Sequence, residues 1–238
     1  MQFEETKKIF SFKKYHFGSD AIWDNLNTDL RQQLLNSLRI LKFRKKQIVF
    51  QENGIPMGLY FLKKGRVKKY KSGFNAKEQI FYIASEGELL GYHALLSHEF
   101  YPDTTETLED CEIGFVPKDV FLKIYNSSDE LKNQITKVMG HEYGVLINHI
   151  TIMAQYNVRE RLAIMLLLLK DKYKKKAGLP AEITISREDL ANFVGTAREN
   201  LIRILNEFKT DKIIKTQGRT IFVLKPKMLI QISNLSLL

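Results

Sequence analysis

The chain holds one cysteine, Cys111, among 238 residues. A disulfide within the chain is therefore excluded, as is any metal or cluster site that needs several thiolates from one chain. Long apolar runs are missing too. The longest, Leu162–Leu169, is eight residues, where a bilayer-spanning helix needs about 20. Glu4, Glu5, Lys7 and Lys8 break the apolar stretch between Phe3 and Phe12, so no secretory leader is expected and the predicted location is cytoplasmic. Also lacking are paired carboxylates, a nucleophile–base pair and metal-ligand spacing, so neither an enzyme nor a metal site is expected. What remains is an ordinary globular composition, 44% hydrophobic and 27% charged, with room for one large domain or two modest ones.

Charge is unevenly placed. The net charge is +10, of which the residues from Asn157 onward carry +8 and the first 156 only +2. A basic C-terminal third beside a near-neutral remainder reads either as an anion-binding module joined to something else or as a solvated basic surface.

The stretch S-R-E-D-L-A-N-F-V-G-T-A-R-E-N-L-I-R-I-L-N-E-F, Ser186 to Phe208, favours the module. Ser186 and Thr196 are N-cap residue types, each followed three positions later by an acid, Asp189 and Glu199. Two capping boxes in succession are predicted. Leu190, Val194, Leu201 and Ile204 fall at helical spacing, Ala191 allows close approach, and Gly195 suits a turn that needs positive φ. This is a helix-turn-helix pattern, and the second helix, predicted over 197–208, is left with Arg198, Glu199, Asn200 and Arg203, side chains able to read base edges. Downstream, 212–215 and 220–224 flank Thr216-Gln217-Gly218-Arg219, a hairpin with a basic tip.

Upstream, Asn27-Thr28-Asp29 caps an amphipathic helix bearing Leu30, Leu34, Leu35 and Leu38. Short strand-like runs at 48–50, 58–62, 66–70, 79–83 and 112–116, separated by Gly-bearing turns, predict an antiparallel sandwich or barrel. The loop Glu86–Leu96 either offers backbone N–H groups to an anion or simply joins a strand to a helix. Residues 129–156 read as one long helix with two apolar stripes. The first is Leu131, Ile135, Val138, Val145 and Ile152, interrupted by Glu142 and His149; the second is Met139, Tyr143, Leu146, Ile150 and Met153. One stripe docks the helix on the β domain and the other suits a second copy. His149 fits a pH or ligand sensor or an ordinary hydrogen-bonded histidine. Gly140 and Gly144 permit either close helix approach or a bend, at about 1 kcal/mol each. Another helix begins near Asn157, Lys172–Lys176 leads to a loop at Gly178 and Pro180, and Ile183-Thr184-Ile185 is a short strand.

With these residues in place the chain resembles the CRP/FNR family of bacterial transcription regulators over nearly its whole length. The resemblance is strongest in I-T-I-S-R-E-D-L-A-N-F-V-G-T-A-R-E-N-L-I-R-I-L and I-I-K-T-Q-G-R-T-I-F-V. R-E-R-L-A from Arg159 and I-V-F-Q-E-N-G-I-P-M-G-L-Y-F-L-K-K-G-R-V extend it. It implies an α+β chain: a β-roll of cyclic-nucleotide-binding type over residues 1–128, a dimerisation helix over 129–156 and a winged helix-turn-helix over 157–238. Arg198 then matches a guanine reader, Glu199 an acceptor from cytosine, and Arg203 a second groove-reading arginine, with Asn200 beside them. Arg187, Thr196 and Arg219 fall at phosphate-contact positions. Gly87, Glu88, Gly91, Tyr92, Thr104 and Thr105 fall around the effector pocket. The implied partners are double-stranded DNA, a second copy of the chain and RNA polymerase, with no membrane.

Two departures matter. Cyclic-nucleotide binders of the family carry a glutamate where Tyr92 stands and an Arg-Ser or Arg-Thr pair near Asp103-Thr104; F-Y-P-D-T-T-E-T holds no arginine. Asp103 would repel a phosphate, so tight cyclic AMP binding is not expected and no cofactor is predicted. The branch that holds a cluster on cysteine thiolates is excluded by the single Cys111, and nothing in His93, His98 or His149 favours haem. A rival reading, a ligand-sensing module with DNA binding lost, is opposed by the intact Arg198, Glu199 and Arg203.

Overall fold

A computed structural model describes residues 12–73, 75, 77–174 and 181–235. They form two compact units, one of the described residues within 17–144 and one joining residues 12–16 with 145–174 and 181–235.

The first unit opens with helices α1 (Asp20–Asp24) and α2 (Thr28–Asn36). Asn27 caps α2, its side chain accepting from the Leu30 amide at 2.9 Å, and turns Leu30 and Leu34 inward. Eight strands follow: β1 (Arg39–Phe43), β2 (Ile48–Phe50), β3 (Gly58–Lys64), β4 (Val67–Ser72), β5 (Glu78–Ala84), β6 (Leu89–Leu90), β7 (Thr104–Thr107) and β8 (Cys111–Pro117). They pair antiparallel in two four-stranded sheets, ordered β1-β8-β3-β6 and β2-β7-β4-β5. Five strands were legible as apolar runs, whereas β1, β6 and β7 were not. Thr104-Thr105-Glu106-Thr107 lacks apolar alternation because two of its threonine hydroxyls bond backbone: Thr107 Oγ1 donates to the Arg44 carbonyl at 2.7 Å, and Thr104 Oγ1 accepts from the Glu52 amide at 3.0 Å. The short helix α3 (Tyr92–Ser97) leaves β6 through Gly91, whose φ of 83° is cheap only for glycine. Helix α4 (Lys118–Ser127) and the long α5 (Asp129–Gln155) complete the elements. Leu30, Leu34, Leu59, Leu95, Val116, Phe121, Leu131 and Ile135 belong to one apolar core.

Helix α5 runs from the first unit into the second. Its two stripes separate by burial except at one residue: Leu131, Ile135, Val138, Glu142, Val145, His149 and Ile152 are buried, Met139, Tyr143, Leu146 and Ile150 stay exposed, and Met153 of the second stripe is half-buried. His149 takes the ordinary role, its Nε2 lying 3.3 Å from the Tyr15 carbonyl oxygen.

In the second unit α6 (Val158–Lys172) starts on a reciprocal cap, with Asn157 and Glu160 each bonding the other's amide. Every residue from Leu162 to Leu169 is buried, so the longest apolar run is a central core helix, enclosed on all sides. The predicted loop at Gly178 and Pro180 lies outside the described residues. Then come β9 (Glu182–Thr184), α7 (Arg187–Val194), α8 (Arg198–Thr210), β10 (Ile214–Gln217), β11 (Thr220–Val223) and α9 (Pro226–Ile232). The three strands pair in the order β10-β11-β9.

Candidate nucleic-acid interface

Helix α7 is capped by Ser186, whose hydroxyl accepts from the Asp189 amide at 2.9 Å and donates to the Asp189 carboxylate. It stops at Gly195, where φ is 71° and the amide donates to the Ala191 carbonyl. The second predicted capping box does not form. Ala197 is the N-cap of α8 and makes no side-chain cap; Thr196 sits one residue too early and its hydroxyl instead accepts from Asn200 Nδ2 at 3.0 Å. Glu199, released from capping, is exposed in the first turn of α8, where a carboxylate favours the helix dipole.

Helix α8 buries Leu201, Ile204, Leu205 and Phe208 and exposes Arg198, Glu199, Ile202, Arg203 and Asn206. The predicted readers Arg198, Glu199 and Arg203 thus share one outward face, with Asn200 half-buried at its margin. Arg203 is braced along its own helix: Nη2 donates to Asn200 Oδ1 at 2.9 Å and Nη1 donates to Glu207. Glu207 also accepts from Arg159, whose guanidinium lies 5.0 Å over the Phe208 ring. Asn200 therefore serves Arg203 and Thr196 in this structure, and its amide is spoken for within the helix.

The hairpin β10–β11 turns at Gly218-Arg219 beside α7. Arg187 reaches it, donating to the carbonyls of Arg219 and Gly218 at 3.3 Å each; burial lowers its pKa. The side chain of Arg219 is exposed.

One residue that sequence reasoning gave no role lies behind this face. Arg161 Nε donates to the Val194 carbonyl at 2.8 Å and Nη2 to the Gly195 carbonyl at 3.1 Å; Nη1 donates to the Tyr156 carbonyl at 2.9 Å. A single guanidinium thus ties the turn between α7 and α8 to the chain leaving α5, satisfying carbonyls that a helix end leaves without a partner. Its only sequence signal is a charge set just before the apolar run of α6.

Of the residues predicted around an effector pocket, Glu88, Gly91, Tyr92, Thr104 and Thr105 are buried and Gly87 is half-buried. Glu88 accepts from the Tyr82 hydroxyl, from the Ser85 amide at 2.7 Å and from the Ser85 hydroxyl at 3.0 Å. Gly87 and Gly91 both adopt positive φ. Tyr92 donates to Glu142 of α5, which also lies 2.7 Å from His93 Nε2. Burial first, and the Glu142 charge second, push the Tyr92 phenol well above the ordinary tyrosine range. Thr105 donates to Asp103 at 3.5 Å, and Asp103 faces Lys69 Nζ at 3.6 Å, both side chains buried. Tyr60 and Tyr101 crowd the outside of Gly91, 3.5 and 3.3 Å from where a Cβ would stand. Removing the Tyr92 hydroxyl in Tyr92→Phe is expected to lower stability in urea unfolding by about 1–3 kcal/mol, because a carboxylate only 2% exposed loses a donor. An unchanged unfolding midpoint would show that His93 alone satisfies Glu142.

Among the described residues no group of three or more His, Cys, Asp or Glu is placed to hold a metal ion, and no helix is long and apolar enough to cross a membrane.

Residues 40–128 match the cyclic nucleotide-binding domain family and residues 160–232 the Crp-like helix-turn-helix domain family. The chain is 26% identical over 212 residues to the anaerobic regulatory protein of Aggregatibacter actinomycetemcomitans, covering 88% of this chain and 82% of that one. It is likewise 26% identical over 214 residues to the fumarate and nitrate reduction regulatory protein of Escherichia coli K12, covering 88% and 84%. Among solved structures, FixK2 from Bradyrhizobium japonicum matches 84% of this chain and 98% of its own at 20% identity and a TM-score of 0.73. A CooA variant from Carboxydothermus hydrogenoformans matches 93% and 99% at 22% identity and a TM-score of 0.72. At such identities these two likenesses speak for the fold.

Proposed function

The chain belongs to the CRP/FNR family of DNA-binding transcription regulators, and from that premise we propose that it acts in the cytoplasm as a homodimer reading a pseudo-palindromic DNA site. In this reading residues 1–128 are the sensor-like domain, 129–156 the dimerisation helix and 157–238 the DNA-binding domain. The observation that carries it is the outward face of α8, where Arg198, Glu199 and Arg203 stand together and exposed beside a basic hairpin. A bidentate arginine suits guanine O6 and N7, and a carboxylate among phosphates is tolerable opposite a cytosine amino group. Arg187, Thr196 and Arg219 bear on the backbone. Arg187 acts there by holding the hairpin through its carbonyl bonds and Arg219 by direct charge. Two copies joined along α5 would set their half-sites about 34 Å apart. RNA polymerase is the further partner that a regulator of this family implies.

The residues at the effector position do not fit a cyclic phosphate. Tyr92 is bonded to Glu142, the Asp103 carboxylate stands where an arginine is needed, and the nearby Lys69 is already paired with it. This supports a regulator whose effector is not a cyclic nucleotide.

The test is site selection from a random duplex pool followed by competition binding. The wild type should return two inverted half-sites with a G-T-G-A-like or T-G-A-like core. Arg198→Ala should cost about 1–3 kcal/mol and relax preference at one guanine per half-site. Full retention of that preference would remove Arg198 from its assigned role.

A further inference from the structure

The N-terminal end of the second unit is a single 3₁₀ turn, Phe12–Tyr15, too short to hold its shape by its own backbone bonds. Two helices distant in sequence hold it. From α5, Asn148 Nδ2 donates to the Lys14 carbonyl at 2.8 Å, and His149 Nε2 lies 3.3 Å from the Tyr15 carbonyl oxygen. From α6, Asp171 Oδ2 lies 3.5 Å from His16 Nε2. Residues 14–16 thus touch both helices that meet at residues 156 and 157. The side chain of His16 is 14% exposed. It faces the Asp171 carboxylate and the Lys172 ammonium of α6 and the His149 imidazole of α5. Asp171 favours a charged imidazole, but its side chain is 56% exposed and water screens it. Burial first, then Lys172 and His149, act the other way and prevail, bringing the His16 pKa down to about 3.

We propose that residues 14–16 form a pH-sensitive strap, docked on α5 and α6 while His16 is neutral and released when acid charges it. A free histidine titrates near 6.5. A basic group whose pKa is lower docked than released contributes fully above 6.5 and loses that contribution as pH falls from there toward 3. Between about pH 7.5 and 5.5 the docking equilibrium therefore weakens about tenfold, in a window above the ordinary carboxylate range and below the ordinary lysine range. The strap lies against the two helices whose junction carries the Tyr156 carbonyl, which Arg161 ties to the turn between α7 and α8. Acid thus loosens the support beneath the helix-turn-helix.

The experiment uses the full chain and two readouts. Hydrogen exchange of the peptide carrying Tyr15 and His16, corrected for the intrinsic amide rate, measures how often the strap opens. Its protection should fall about tenfold between about pH 7.5 and 5.5 in the wild type, and His16→Gln, which keeps a polar tip that acid does not charge, should hold its protection constant over that window. Carbon-13 labelling of the histidines gives their titrations by NMR, His16 being the resonance missing from His16→Gln. That resonance should titrate well below 6.5, whereas a free imidazole is about nine-tenths charged at pH 5.5. Wild-type protection that does not change with pH would overturn the inference, and it needs no variant to fold. A His16 titration near 6.5 would overturn it as well. So would a tenfold loss that survives in His16→Gln, which would assign the pH dependence to another group such as His149.

Discussion

Phe208→Ala is expected to lose about 3–5 kcal/mol of stability, the cost of emptying a large aromatic site in a core. The side chain is 0% exposed and sits on α8 one residue after Glu207, which ties Arg203 to Arg159. Its ring also carries the Arg159 guanidinium at 5.0 Å, an arrangement worth another fraction of a kcal/mol near the surface. Removing the ring leaves a cavity under the outward face of α8 and loosens the brace of Arg203, the proposed base reader, together. Since a domain's whole stability is about 5–15 kcal/mol, the variant should show a sharply lower urea midpoint by circular dichroism and loss of sequence-specific binding at room temperature. Ile202→Ala, on the opposite side of the same helix, should leave the midpoint almost unchanged. Equal midpoints for the two variants would contradict the burial of Phe208.

That contrast between two faces of one helix was legible in the sequence, because a 3.6-residue period sorts Leu201 and Ile204 from Arg198, Glu199 and Arg203 without any tertiary knowledge. The turn was legible for the same local reason: only a residue tolerant of positive φ belongs at Gly195. The second cap was misplaced because two adjacent residues compete for the position. Ala197 takes it with extended backbone, and Thr196 serves better as the acceptor for Asn200. What stayed illegible depends on partners distant in sequence. Glu142 interrupts an apolar stripe, and nothing local reveals that Tyr92 and His93, some fifty residues earlier, supply its donors. Arg161 likewise acts on carbonyls of Val194 and Gly195, and backbone carbonyls carry no sequence signature. The strand Thr104–Thr107 was missed because hydroxyls bonded to backbone replaced the apolar alternation on which strand prediction relies.

Tyr143→Glu combined with Ile150→Glu is expected to convert the protein to a monomer and to lower affinity for a two-half-site duplex about 10²–10⁴-fold. The two side chains are 68% and 62% exposed and lie on the second stripe of α5, opposite the buried Leu131, Ile135, Val145 and Ile152. Within one chain they support nothing, so the substitutions should leave the urea midpoint intact; glutamate is itself a good helix former. In the proposed dimer they would sit within the seam, where facing carboxylates repel and have to be dehydrated. Gly140 and Gly144 of the same helix would leave room at the proposed interface. A Cβ at either would meet nothing within 4 Å inside the protomer, so neither supports close approach within the chain, and both leave room for a second helix. Losing the seam turns two linked half-site contacts into two separate ones. The variant should therefore bind a single half-site as well as the wild type does while losing the gain from the second. Sedimentation velocity at micromolar protein gives the mass, and titration of one-site and two-site duplexes gives the two affinities. A double variant that still sediments as a dimer and keeps the two-site affinity would move the dimer interface away from this face of α5.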